Sequence, residues 1–122
     1  LYDDPRVLDA LRGFATSTTD AEVRLLVLDA TAIQRAHAPL LALAQRLPSV
    51  FVFRELADPV DRARADAFIA TDAGGYYHRE FGHRFEGEAL LHGAGRARQL
   101  CEAFDPVWER SRPCAELRAL GL

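Results

Sequence analysis

The chain has 122 residues, which suits one domain with a single core, so we predict one domain over residues 1–122. A net charge of -3 gives no overall positive field, which argues against general binding of nucleic acids. No apolar run approaches the ~20 residues needed to cross a bilayer, so we predict no membrane contact.

The composition also bears on the source of the protein. All 15 basic residues are arginine, a usage typical of bacterial genomes rich in G and C. Neither a charged leader nor a metal-binding cysteine spacing is present, so we predict a cytoplasmic protein in which Cys101 and Cys114 are free thiols. The chain contains no methionine, and we therefore expect further residues before Leu1 in the natural protein.

The first half of the chain has the pattern of an α/β fold. Asp4-Pro5 predicts a helix start, and apolar residues at helical spacing extend the helix over residues 5–15. Residues 23–28 are apolar on both faces except at Arg24, which predicts a strand of a parallel sheet. A helix over about residues 37–47, with Pro39 in its first turn, leads to a second strand over 50–54. This order predicts a right-handed parallel crossover.

The second half has weaker signals. Residues 55–64 have the composition of a charged loop, and residues 67–71 and 76–79 are predicted to pair as a hairpin around the turn 72–75. A short strand over 88–92 precedes a long helix. Its apolar positions recur at helical spacing: Ala97, Leu100, Cys101, Phe104 and Trp108. Pro106 is expected to interrupt that helix, with Asp105 capping a new turn.

Several segments carry a resemblance to a known family. They are Leu1-Tyr2-Asp3, Val23 to Asp29, Arg46-Leu47-Pro48-Ser49, Phe68-Ile69-Ala70-Thr71-Asp72, Phe104 to Ser111 and Glu116-Leu117-Arg118. Together they resemble one half of a phospholipase-D-like fold, in an uncharacterised bacterial domain family that also occurs behind GNAT-type acetyltransferase domains. The resemblance implies an α/β half domain: a mixed sheet with a parallel crossover, a hairpin and flanking helices.

The resemblance also implies where catalytic residues would stand. The active motif of these enzymes is His, any residue, Lys, four residues, then Asp, and here Asp72 keeps the acid while Ala65 and Ala67 replace the other two. A methyl group neither attacks phosphorus nor binds a phosphate, so we expect no enzymatic activity. Asp72 has an alternative role as a turn former before Gly74-Gly75.

A ligand site is predicted instead at the end of the parallel strands. Asp29 follows the first strand, Arg54 ends the second, and His37 opens the helix between them. These three are candidates for binding a small anionic ligand, since open α/β sheets bind ligands at this edge. In the alternative interpretation Asp29 caps the helix or pairs with Arg54, and neither has a ligand.

Other polar residues have simpler explanations. Arg24 inside an apolar strand needs an acidic partner such as Glu22 or Asp72, or an edge position. The spacing of His78, His83 and His92, with Glu86 and Glu88, does not match a zinc motif, so no metal or cofactor is predicted.

The functional expectation is a catalytically silent accessory domain with a regulatory or ligand-binding role. Its expected partners are a small anion and an acetyltransferase domain in the same chain. The alternative is a dimerisation or docking module, and a third interpretation is a divergent phosphodiesterase or nuclease that uses Asp72, His78 and His83.

Overall fold

The computed structural model describes residues 5–17, 20–36, 38–63, 67–71, 76–79 and 88–118. The chain forms two compact units. The terminal unit contains residues 1–56 and 111–122, and the inserted unit contains residues 57–110. In chain order the elements are α1 (Pro5–Ser17), β1 (Val23–Val27), α2 (Ala30–Ala36), α3 (Ala38–Arg46), β2 (Phe51–Glu55), α4 (Pro59–Arg62), β3 (Ala67–Ala70), β4 (Tyr76–Arg79), β5 (Glu88–Leu90), α5 (Ala94–Glu109), β6 (Arg112–Pro113) and α6 (Ala115–Arg118).

The terminal unit contains a three-stranded mixed sheet in the order β1-β2-β6. β1 and β2 run parallel, with Val23 opposite Phe51 and Val27 opposite Glu55, and β6 pairs antiparallel to β2. The parallel pairing of these two strands, with helices between them, is therefore confirmed. The mixed α/β class follows from this sheet and its helices.

The core of the terminal unit lies on one face of this sheet. Phe51 and Phe53 project from β2 into it, because alternate residues of a strand point to the same face. Leu40 and Leu117 are fully buried there, and the other buried members are Ala15, Ile33, Leu41, Leu43, Ala44 and Cys114. Four of them come from α3, whose apolar residues recur at helical spacing as the sequence predicts.

The helix before β2 is more divided than predicted. α3 matches the helix predicted over 37–47, but α2 precedes it as a separate helix that the prediction did not include. Pro39 lies in the first turn of α3, where its missing N–H costs nothing. Because Pro39 has no N–H, it cannot donate the hydrogen bond to the Arg35 carbonyl that one continuous helix through this region would contain.

The inserted unit contains its own antiparallel sheet in the order β3-β4-β5. β3 and β4 pair from Ala67 opposite Arg79 to Ala70 opposite Tyr76, which confirms the predicted strand pair, while its turn lies outside the described residues. Tyr76 is buried against Ala97 and Leu100 of α5, with Phe68 packed beside it. In the described residues the hairpin thus belongs to a second sheet rather than to the mixed one.

Two predictions in this region were wrong. Residues 55–64 are not all loop: α4 forms because the Asp58 side chain accepts a hydrogen bond from the Val60 N–H (2.8 Å) and Pro59 starts the helix. Pro106 does not interrupt α5, which continues through it to Glu109. A proline removes a single N–H donor, and the packing of this long helix outweighs that loss.

None of the helices within the described ranges combines the length and apolar character that a membrane span requires.

Candidate functional site

Asp29, at the end of β1, has a structural role in the terminal unit. Its Oδ1 accepts a hydrogen bond from the Thr31 N–H (2.9 Å), and its backbone carbonyl accepts one from Ile33 (3.3 Å). Both contacts place Asp29 at the start of α2, where a carboxylate satisfies amides that lack an intrahelical partner. The helix-capping alternative therefore describes what this side chain does in the structure.

Arg54, near the end of β2, is half-buried and contacts Ser111. Its Nε donates to the Ser111 hydroxyl and its Nη2 to the Ser111 carbonyl, both at 2.6 Å. These bonds tie β2 to the residue that precedes β6. His37, the third residue of the predicted anion site, lies outside the described residues. The structure thus places Asp29 and Arg54 at the predicted sheet edge, each with a contact of its own.

A charged pair lies next to Arg54 in the β2–β6 ladder, and it was not predicted from the sequence. Arg112 donates to the Glu55 Oε1 through Nε (3.0 Å) and Nη2, across the short β2–β6 ladder. The hydrogen bond to Glu55 is the main cause that raises the pKa of the Arg112 guanidinium. Two-residue strands give no periodicity, but Pro113 lacks an N–H and suits an edge strand, which was the available signal.

Cys114 follows β6 and is buried in the core of the terminal unit. Burial, followed by the negative charges of Glu55 and Glu116, raises the pKa of this thiol from 9.0 to about 11. Arg54 and Arg112 oppose this shift. Since the thiolate is the nucleophilic form, Cys114 is a packing residue at neutral pH.

The two free thiols are expected to differ in reactivity. Brief alkylation of the native protein at neutral pH should modify the half-buried Cys101 and leave Cys114 intact, as peptide mass spectrometry would show. In concentrated denaturant both thiols should react at similar rates. Equal rates in the native protein would contradict the burial of Cys114.

The raised pKa of Cys114 means that folding favours the protonated thiol. The contribution of this thiol to stability is therefore present below pH 9 and is lost as the pH rises through about 11.

The inserted unit has one buried charged residue among those described, Asp61 of α4, which is 6% exposed. Arg110 donates to it from Nε (2.6 Å) and Nη2 (2.5 Å), forming a bidentate pair. These hydrogen bonds raise the pKa of the Arg110 guanidinium, so it stays charged over the accessible pH range. This pair could not be predicted from local sequence patterns, because 49 residues separate its members.

Arg24 has the partner that its position in an apolar strand requires. Its Nε donates to Glu22 Oε1 at 2.6 Å, and both side chains are about half exposed. Glu22 is therefore one partner of Arg24, while Asp72 lies outside the described residues. In the described sheet β1 is also an edge strand, which is the other alternative considered for Arg24.

The motif region is described only in part. Ala67 is the first residue of β3, whereas Ala65 and Asp72 lie outside the described residues. His83 and Glu86 lie outside as well, and in the described ranges no three His, Cys, Asp or Glu side chains are grouped to hold a metal ion.

The aromatic residues of α5 form a row in the inserted unit. Phe104 stacks on Trp108 at a centroid distance of 5.6 Å and meets Phe68 of β3 edge to face at 6.3 Å. Both α5 residues are half-buried. Phe104 therefore connects α5 to β3, and neither Phe104 nor Trp108 is fully buried.

Comparison with known proteins gives one family. No curated protein and no solved structure matches the chain. A family model described as a domain of unknown function, DUF7931, matches residues 1–120 and so spans both units. The chain belongs to the DUF7931 family.

Proposed function

We propose that this chain is a catalytically silent, phospholipase-D-like accessory domain with a regulatory or ligand-binding role in a cytosolic bacterial protein. A GNAT-type acetyltransferase domain is its proposed neighbour in the parent chain. The resemblance of the segments from Leu1 to Arg118 supports both statements. The β3–β4 pairing supports the first statement only, because the resemblance assigns the catalytic motif to this strand and its turn.

The observation that carries the proposal is the residue at the start of β3. Ala67 occupies the position where a catalytic member has the lysine that binds phosphate, and Ala65 replaces the histidine nucleophile. A methyl group offers no lone pair for attack on phosphorus and no charge for the phosphate oxygens. The strand is retained while these two groups are missing, as expected where a fold is kept for binding.

The proposed ligand is a small anion at the carboxyl ends of β1 and β2, with Arg54 as its donor and with Asp29 and His37 as the other residues of the proposed site. A guanidinium is a planar, permanently charged fork of N–H donors whose geometry matches the oxygens of phosphate and carboxylate groups. The edge of a parallel sheet is where α/β folds place ligands. The contacts of Asp29 and Arg54 hold both side chains at this edge.

Inorganic phosphate at constant ionic strength is the probe for this site. Binding to the folded state should raise the unfolding free energy by about 1.4 kcal/mol at roughly ten times the Kd, and by about 1.4 kcal/mol more for each further tenfold increase in phosphate. Arg54→Met should abolish this response, and Arg24→Met, the same change at an arginine paired with Glu22, should keep it. Since Arg54→Met also loses Ser111, the quantity compared is the phosphate-dependent shift. No phosphate-dependent shift in the natural sequence, or one that survives Arg54→Met unchanged, would count against the ligand.

A dimerisation role is the second candidate, and two leucines favour it. Leu90 and Leu91, at the end of β5, are 52% and 81% exposed. Dimer formation would remove both side chains from water, which is favourable for apolar surface. The partner in this candidate is a second copy of the chain, since symmetric dimers are the commonest soluble oligomers.

Sedimentation over a range of protein concentrations tests the dimer. A monomer–dimer equilibrium that Leu91→Glu shifts toward monomer would support it, with Val52→Glu in the terminal unit as an exposed control. A single monomeric species at all concentrations would eliminate this candidate.

A further inference from the structure

We infer that residues 57–110 unfold and refold as a separate cooperative unit, and that the Asp61–Arg110 ion pair stabilises the folded state of this unit. The chain enters the inserted unit after Leu56 and leaves it before Ser111. Contacts near these two points, one set in each unit, carry the inference.

In the terminal unit, hydrogen bonds and an ion pair join the segment before the insertion to the segment after it. β2 pairs with β6, Arg54 holds Ser111 by two hydrogen bonds of 2.6 Å, and Arg112 binds Glu55. The buried Cys114 and Leu117 follow directly and join the core of this unit. These contacts all join residues of the terminal unit.

In the inserted unit, an ion pair joins the beginning of the unit to its end. Asp61 lies in α4 at the beginning of the unit, and Arg110 is its last residue. Their bidentate hydrogen bonds join α4 to the end of α5. A charged pair with two aligned bonds is stronger than an ordinary hydrogen bond, and a buried carboxylate is costly without it.

Among the described residues, the inserted unit also has an apolar cluster of its own. It consists of the buried Tyr76, Ala97 and Leu100, with Phe68 and Ala70 beside them. The described members of the other cluster all belong to the terminal unit. Regions that pack separately can open as separate cooperative units. Loss of the Asp61–Arg110 pair should therefore act on the inserted unit.

Native-state hydrogen exchange of the full chain, followed by mass spectrometry, tests the inference. Asp61→Asn removes the charge and should speed amide exchange in α5 and β3–β5 about tenfold or more, while β1, α3 and β2 change by less than about twofold. Glu55→Gln is the matched control in the terminal unit, because the partner of Glu55, Arg112, is exposed as Arg110 is. The effect of Glu55→Gln on exchange should fall on β2 and β6.

Exchange that rises by the same factor in both units of the Asp61→Asn protein would overturn the inference, because one cooperative unit opens as a whole. If Asp61→Asn does not fold, Arg110→Lys is the milder variant: it keeps one charge, loses the bidentate geometry and should give a smaller change with the same location. Acceleration outside residues 57–110 in that variant would contradict the inference equally.

Discussion

Leu40→Ala is expected to lower the free energy of unfolding of the terminal unit by about 2–5 kcal/mol. Leu40 is fully buried in α3, within the cluster that includes Phe51 and Leu117. Truncation removes three carbons from a packed site and leaves a cavity that the surrounding helices and sheet close only in part. The loss is therefore among the largest expected for a single apolar substitution in this chain.

Chemical denaturation followed by circular dichroism, with alkylation of Cys114 as a local probe of the terminal unit, measures this loss. Leu28→Ala is the matched control: the same atoms are removed from a side chain that is about half exposed, and the loss should be below about 1 kcal/mol. Equal losses for the two variants would show that the core of the terminal unit does not centre on α3.

Gly93→Ala is expected to destabilise the inserted unit by about 1–3 kcal/mol through overpacking. A methyl group on Gly93 would lie 3.0 Å from Cδ1 of the Tyr76 ring, closer still to Cε1, and 3.4 Å from Cβ of Leu90. Tyr76 is buried against α5, so its ring does not move aside without disturbing Ala97 and Leu100. The requirement for glycine is thus one of space at the start of the helix.

Gly95→Ala provides the control, because nothing lies within 4 Å of a methyl group at that position. Alanine in the first turn of α5 should leave stability unchanged or raise it by up to about 1 kcal/mol. Trp108 is the single tryptophan and belongs to the inserted unit, so its fluorescence reports the unfolding of that unit. A Gly93→Ala protein as stable as Gly95→Ala would mean that the Tyr76 ring is not packed against the start of α5.

The regular elements were predictable from local patterns. Residues 23–28 are apolar on both faces, which indicated a strand between layers, and β1 spans Val23–Val27. By contrast, β6 is two residues long and α4 four, and segments this short have no period to detect. The division into two units was not predicted either, since it depends on contacts such as Arg54–Ser111 between residues 57 positions apart.

The candidate site was predictable only in outline. Parallel strands of this kind put Asp29 and Arg54 at one sheet edge, and that inference needed only the strand order. Which atoms they contact was beyond sequence reasoning, because Asp29 bonds to a residue two positions on whereas Arg54 bonds across the β2–β6 ladder. Asp61 was assigned to a charged loop, and only its burial in the folded unit distinguishes it from its solvated neighbours.

Hydrolysis of a generic phosphodiester tests the proposal that this domain is phospholipase-D-like and catalytically silent. Purified protein incubated with bis(p-nitrophenyl) phosphate should release no p-nitrophenolate above the buffer rate, and Asp72→Ala should behave identically, because Ala65 and Ala67 supply neither nucleophile nor phosphate-binding charge. Turnover by the natural sequence that disappears in Asp72→Ala would show that the domain is catalytic and the proposal wrong.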